Sequence, residues 1–142
     1  MSQAIYIPQT KIQETLKVPP SLGTKLLEPF KTIALTHKLP FKILEDHKVS
    51  NTPESHLQEG DLWYCLEGVV TFKYGGNLVN SKFRQNPDGS YDPNELFSDD
   101  ISSSIEQILK PGDWLWIPAG VPHQHRASET ARLMIIKILL SL

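Results

Sequence analysis

Gly112-Asp-Trp-Leu-Trp-Ile-Pro118-Ala-Gly120-Val-Pro-His123 is the stretch on which the fold turns. A Pro-Gly turn precedes four β-prone residues, and Pro118-Ala-Gly120 turns the chain again before it delivers a histidine. Upstream, Glu54-Ser-His56-Leu-Gln-Glu-Gly-Asp61 runs into Trp63-Tyr-Cys-Leu-Glu-Gly68 and repeats the device of strand, tight turn and ligand-type side chains. Residues i and i+2 of a strand share a face, so Glu54 and His56 project together while Ser55 points away. With Asp61 facing inward, Trp63 and Cys65 follow it, and Leu62, Tyr64 and Leu66 face the other way. His125 lies two residues beyond His123, on the same face. If the two segments meet inside a small β-barrel, they aim four side chains at one point.

Working outward, β-compatible runs recur between turns at Phe30–Thr36, Phe41–Val49, Leu62–Tyr74, Ile105–Leu109, Trp114–Ile117 and Arg132–Leu140. Many short strands with little helical periodicity predict an all-β sandwich or barrel. The first 29 residues read as an irregular or helical lead-in, with a short helix over Thr10–Leu16 before Pro19-Pro20; residues 30–142 read as a single barrel domain. From Asn77 to Ser104 turn chemistry dominates, which predicts a long loop, either a surface excursion or a lid over a pocket. The C-terminal run Leu133-Met-Ile-Ile136 and Ile138-Leu-Leu140 is apolar on both faces. Its outer face needs a cover, either a second subunit, giving a homodimer, or the N-terminal segment.

The chain has 142 residues, enough for one core, and a formal charge of −2. That balance leaves no basic footprint for nucleic acid or an anionic membrane. One cysteine, Cys65, permits no internal disulfide, and neither a signal-type N-terminus nor a membrane-length apolar run is visible, so a cytoplasmic setting is expected. Cys65 on an inward strand position reads as a small buried hydrophobe. Trp63, Trp114 and Trp116 read as barrel wall.

Two imidazoles with one or two carboxylates form a mixed N/O donor set that suits Fe(II), Mn(II), Ni(II), Co(II) or Zn(II) and lacks the thiolates of a structural zinc. The alternatives are a hydrogen-bonded barrel histidine at His56 or His123, a general base at Glu54 and a turn residue at Asp61. His47 and His125 read as structural histidines with a possible view of the cavity.

The two segments resemble the paired motifs of the cupin superfamily. They stand here as Glu54-x-His56-x(4)-Asp61-x(6)-Gly68 and Gly112-x(5)-Pro118-x-Gly120-x(2)-His123, with Ala127 where the family often has Asn. The resemblance covers residues 41–140 and is fullest in the second motif. It implies a double-stranded β-helix (jelly-roll barrel), a divalent metal on Glu54, His56, Asp61 and His123, and a small polar, oxygen-rich ligand. It also implies an isomerase, lyase or dioxygenase, with Glu54 as catalytic base if it is not a ligand. A non-catalytic barrel that binds a sugar or organic acid is the alternative. Where the family's usual ligands are three His and one Glu, this chain has two His and two carboxylates, a more negative set.

Overall fold

In the computed structural model, which describes residues 3–140, the chain runs through α1 (Gln9–Leu16), β1 (Gly23–Leu26), α2 (Phe30–His37), β2 (Phe41–Ser50), β3 (Glu54–His56) and β4 (Glu59–Glu67). It continues through β5 (Val70–Tyr74), β6 (Asn77–Leu78), β7 (Lys82–Gln85), β8 (Tyr91–Phe97), β9 (Ile101–Ser102), β10 (Ile105–Leu109), β11 (Trp114–Ile117) and β12 (His123–Leu139). All pairings are antiparallel, and β12 is the hub: it pairs with β2, β3, β4 and β5. Seventeen residues let its first four lie beside β5 while its last eight lie beside β4. Register shifts at Ala127/Thr130 and Arg132/Leu133 mark where it crosses between the two layers, as bulges do at barrel corners. The result is the double-stranded β-helix that the sequence predicts. Gly68 makes the bend between β4 and β5 possible: its φ is +73°, and a Cβ there would lie 2.0 Å from the Thr130 carbonyl oxygen.

The period-2 pattern decides which faces meet. Trp63 and Cys65 of β4, Phe72 of β5 and Leu133 and Ile135 of β12 point inward and form the barrel core with Leu109 and Ile117. A second cluster of Leu27, Phe30, Ala34 and Ile43 lies outside the sheet, with Ile12, Leu16 and Met134 packed on it. The helices thus cover part of the outer face of the C-terminal strand.

Three expectations are corrected here. Residues 30–36 form helix α2, not a strand: Phe30 and Ala34 are both buried at i, i+4 spacing. The Glu28 carboxylate accepts the Thr32 N–H at 2.7 Å at its start, and Lys38, with φ 53°, ends it. The 77–104 stretch is no open loop, because β7 and β8 form a hairpin whose β8 pairs with β3. Its residues are polar since most of the hairpin faces water. Trp114 and Trp116 are 59% and 48% exposed on the outer face, so only Trp63 walls the interior.

Candidate metal centre

Three strand ends converge at one mouth of the barrel. β3 carries Glu54 and His56, β4 carries Asp61, and β12 opens with His123, which is registered opposite Glu54. His123 Nε2 lies 3.3 Å from Asp61 Oδ2 and 3.8 Å from Glu54 Oε1. His56 Nε2 lies 3.4 Å from the same Asp61 oxygen and 3.5 Å from the same Glu54 oxygen. The four residues that the sequence singles out are therefore in one cluster. His56, Asp61 and His123 are buried, and Glu54 is half-buried at the mouth.

The outward nitrogen of each ring is occupied. His123 Nδ1 sits 3.0 Å from the Val121 carbonyl, and an acceptor there requires the ring to carry its proton on Nδ1. His56 Nδ1 sits 2.5 Å from Glu95 Oε2 of β8. Both contacts leave Nε2 turned into the cluster, the tautomer a metal-binding imidazole needs when neutral. His123 Nε2 and Asp61 Oδ2 are also buried with no hydrogen-bond partner. Buried polar atoms rarely stay unpaired, since each costs roughly 1–3 kcal/mol. A divalent ion bonds N and O donors at about 2.0–2.2 Å, which sets neighbouring donors about 3.0–3.6 Å apart, and the separations here fall close to that range. The residues present fit such an ion.

Three further residues belong to this cluster and carry no motif. Lys137 of β12 puts Nζ 2.8 Å from Asp61 Oδ1 and 3.4 Å from His56 Nε2. Arg84 of β7 donates to Glu54 Oε2 at 3.2 Å, and Glu95 holds His56. The only available signal was the excess of charge on otherwise β-forming runs. His125 is turned to Asp46 through Nδ1, with its Nε2 2.9 Å from Asn51, and His47 bonds Thr130. Neither joins the cluster. Cys65 is buried, and burial with the nearby Asp113 pushes its thiol up to about 11, so it is not a nucleophile at neutral pH.

The electrostatics follow from these contacts. Burial opposes the charge on His56, yet the carboxylates of Asp61 and Glu54, 3.4 and 3.5 Å from its Nε2, outweigh it and raise the ring to about 10. Burial likewise opposes ionised Glu54, but His56, His123 and Lys137 hold it at about 2. Asp61 is depressed further by both imidazoles and Lys137, again against its burial.

Comparison with known proteins adds the following. The family model described as JmjC domain matches residues 77–138, less than half of the chain. No curated protein matches the sequence. Among solved structures, the X-ray structure of E. coli ycfD is 21% identical, with a TM-score of 0.56 over 89% of this chain and 37% of that one. The Drosophila melanogaster CENP-C cupin domain is 10% identical over 80% and 67% of the two chains, at a TM-score of 0.47. Hydroquinone 1,2-dioxygenase from Sphingomonas sp. TTNP3 is 10% identical over 72% and 61%, also at 0.47. At such identities the likeness to ycfD is one of fold, and this chain spans little more than a third of that protein's length. Among the described residues, no helix is long and apolar enough to cross a membrane.

Proposed function

We propose that this cupin-fold chain is a divalent-metal enzyme of the isomerase, lyase or dioxygenase type, acting on a small oxygen-rich molecule. His56, Asp61 and His123 hold the ion, and Glu54 serves as fourth ligand or as base. The observation that carries this reading is the pair of orphaned buried atoms, His123 Nε2 and Asp61 Oδ2, facing each other at 3.3 Å. Bound there, an ion with open positions supplies Lewis-acid polarisation of a carbonyl or hydroxyl and, as Fe(II), dioxygen chemistry. Glu54 is placed for proton transfer, because Arg84 fixes one carboxylate oxygen while the other faces the imidazoles. Glu54→Gln tests its role: retained metal with turnover lowered by about 10²-fold or more assigns a base, and lost metal assigns a ligand.

One observation favours the second reading, a non-catalytic binding barrel. Lys137, with a protonated His56, already balances both carboxylates without an ion. Proton release separates the two. His56 is raised above its ordinary 6.5, so its contribution to metal-free stability is full below about 6.5 and is lost as pH rises through about 10. Glu54 is depressed, so its contribution is present above about 4.5 and is lost as pH falls through about 2. An ion must displace the His56 proton. Calorimetry at pH 7.5 in two buffers of different ionisation enthalpy is expected to show about one proton released per ion, and the stabilisation by metal should grow from pH 6 to 9. Zero protons released means that His56 is already neutral before the ion arrives, and His56→Ala then decides whether it is a ligand.

The same reading includes a cytoplasmic homodimer with a lead-in over 1–29 and a barrel over 30–142, and what supports the dimer is the outer face. Trp114 lies opposite Tyr64, and Trp116 lies opposite Leu62. Leu62 continues to Ile136, and Ile138 flanks Gly60 beneath the Trp116 ring. Ile138 is 45% exposed beside the two half-exposed tryptophans, and a contiguous exposed apolar face of this kind is what marks protein–protein contact surfaces. None of these side chains is charged, so two copies meet without burying an unpaired ion. Sedimentation is expected to give twice the mass of one chain, and Trp114→Lys with Trp116→Lys to give a monomer. A wild-type monomer at micromolar concentration sinks the dimer.

A further inference from the structure

The barrel opens into a cavity of about 620 Å³, within the size of small-molecule sites, and its two ends differ. At one end Arg84 and Lys137 stand beside Glu54 and the metal cluster. Away from them, Leu26 of β1, Leu44 of β2, Trp63 of β4 and Ile135 of β12 line the cavity as an apolar shelf on adjacent strands, with Thr24 and Lys42 at its edge. The shelf is a product of register: Leu26 is paired with Leu44, and β2 and β4 flank β12 on its two edges. A polar, oxygen-rich molecule fills only the first end.

We infer that the ligand of this site is an apolar carboxylate, with its acid group at Arg84 and a hydrocarbon body along the Leu26–Leu44–Ile135 shelf. The inference rests on the metal reading above and revises its ligand from one that is oxygen-rich throughout to one that carries oxygen only at the acid end. Charge supplies the reason for an acid. Without an ion, Arg84 pairs with Glu54 at 3.2 Å, and Lys137 is shared between Asp61 at 2.8 Å and Glu59 at 3.6 Å. Once Glu54 and Asp61 share a divalent cation, Lys137 keeps Glu59 as its partner while Arg84 is left unpaired beside it at the cavity mouth, and an anionic group satisfies Arg84. Arg84, about half exposed on the hairpin, presents a planar fork that suits a carboxylate, and its unused N–H groups remain free to donate. Metal and acid therefore bind cooperatively. The shelf supplies the rest of the affinity, because its side chains gain only when an apolar body displaces water from them.

The test uses the Co(II)-loaded protein titrated calorimetrically with acetate, butyrate, hexanoate and 1-hexanol. Each methylene that reaches the shelf is expected to raise affinity about fourfold. Hexanol should bind at least tenfold more weakly than hexanoate. Arg84→Gln should weaken hexanoate at least tenfold with cobalt content unchanged, and Leu26→Asn should flatten the chain-length dependence while leaving acetate unaffected. Cobalt bound at one per chain with hexanoate no tighter than acetate overturns the inference and leaves the metal reading standing. If the wild-type protein takes up no cobalt, the metal reading falls. The same titration of metal-free protein then decides: hexanoate bound at least tenfold more tightly than both acetate and 1-hexanol, with the preference over hexanol lost in Arg84→Gln, retains the apolar carboxylate, and any other result overturns it.

Discussion

Substituting His123 or His56 by alanine is expected to take bound divalent ion from one per chain to none, with the far-UV spectrum unchanged. Each change removes one of three buried donors, and the two that remain cannot compete with water for the ion. The barrel survives because its core of Trp63, Phe72, Leu133 and Ile135 does not depend on the cluster. Glu95→Gln is the graded counterpart: His56 keeps its nitrogen but loses the carboxylate that orients it, a change that typically weakens metal binding by 10–100-fold. Metal per chain by elemental analysis, read beside circular dichroism, checks both. Unchanged metal in both histidine variants would mean that the cluster is architectural, and the binding-barrel reading would lead.

Arg132→Ala is expected to cost about 3–5 kcal/mol of stability, the largest effect of any change away from the site. Its guanidinium donates to the fully buried Glu45 through Nε at 3.1 Å and Nη2 at 2.8 Å. It also donates to the Leu16 carbonyl at 2.5 Å and to that of Val18, just past the end of α1. Burial works against the Glu45 charge, yet hydrogen bonds from Lys25, Arg132 and the Ser21 N–H hold its carboxyl below the usual range. Without Arg132 a buried carboxylate loses its main partner, and two carbonyls of the N-terminal segment lose their donor. Urea unfolding measures the loss, and faster proteolysis after Lys11 or Lys17 locates it. Replacing both Glu45 and Arg132 by leucine should recover much of the stability, since the cost lies in the uncompensated charge. A single variant as stable as the parent would show that the N-terminal segment is held by the Leu27–Phe30–Ile43 cluster alone.

Motif spacing and strand period made much of this protein legible. Ile105–Leu109 and Trp114–Ile117 form strands at the predicted bounds, because apolar and β-branched runs between Pro-Gly turns have few other ways to bury themselves. Alternation along Asp61–Leu66 gave the correct inward set, since the face of a strand residue is a local property. Phe30–Thr36 misled because a short apolar run looks alike at either period, and its helical state is decided by packing on Ile43 and Met134. The 77–104 segment misled because a hairpin facing water carries no hydrophobic period, and its pairing partner β3 is supplied by the fold.

By itself, the sequence determined the barrel class and the inward faces of its strands, which follow from backbone periodicity and from turns of a few residues; the set Glu54, His56, Asp61 and His123 was legible through motif resemblance. Only the tertiary structure decided what surrounds the cluster. Glu95 reaches His56 across 39 positions and Lys137 reaches Asp61 across 76, through strand pairings that no local signal encodes. The tilt of charge at the mouth and the apolar shelf behind it likewise depend on which strands lie side by side, because long-range register is set by the burial of the whole sheet and not by any one segment.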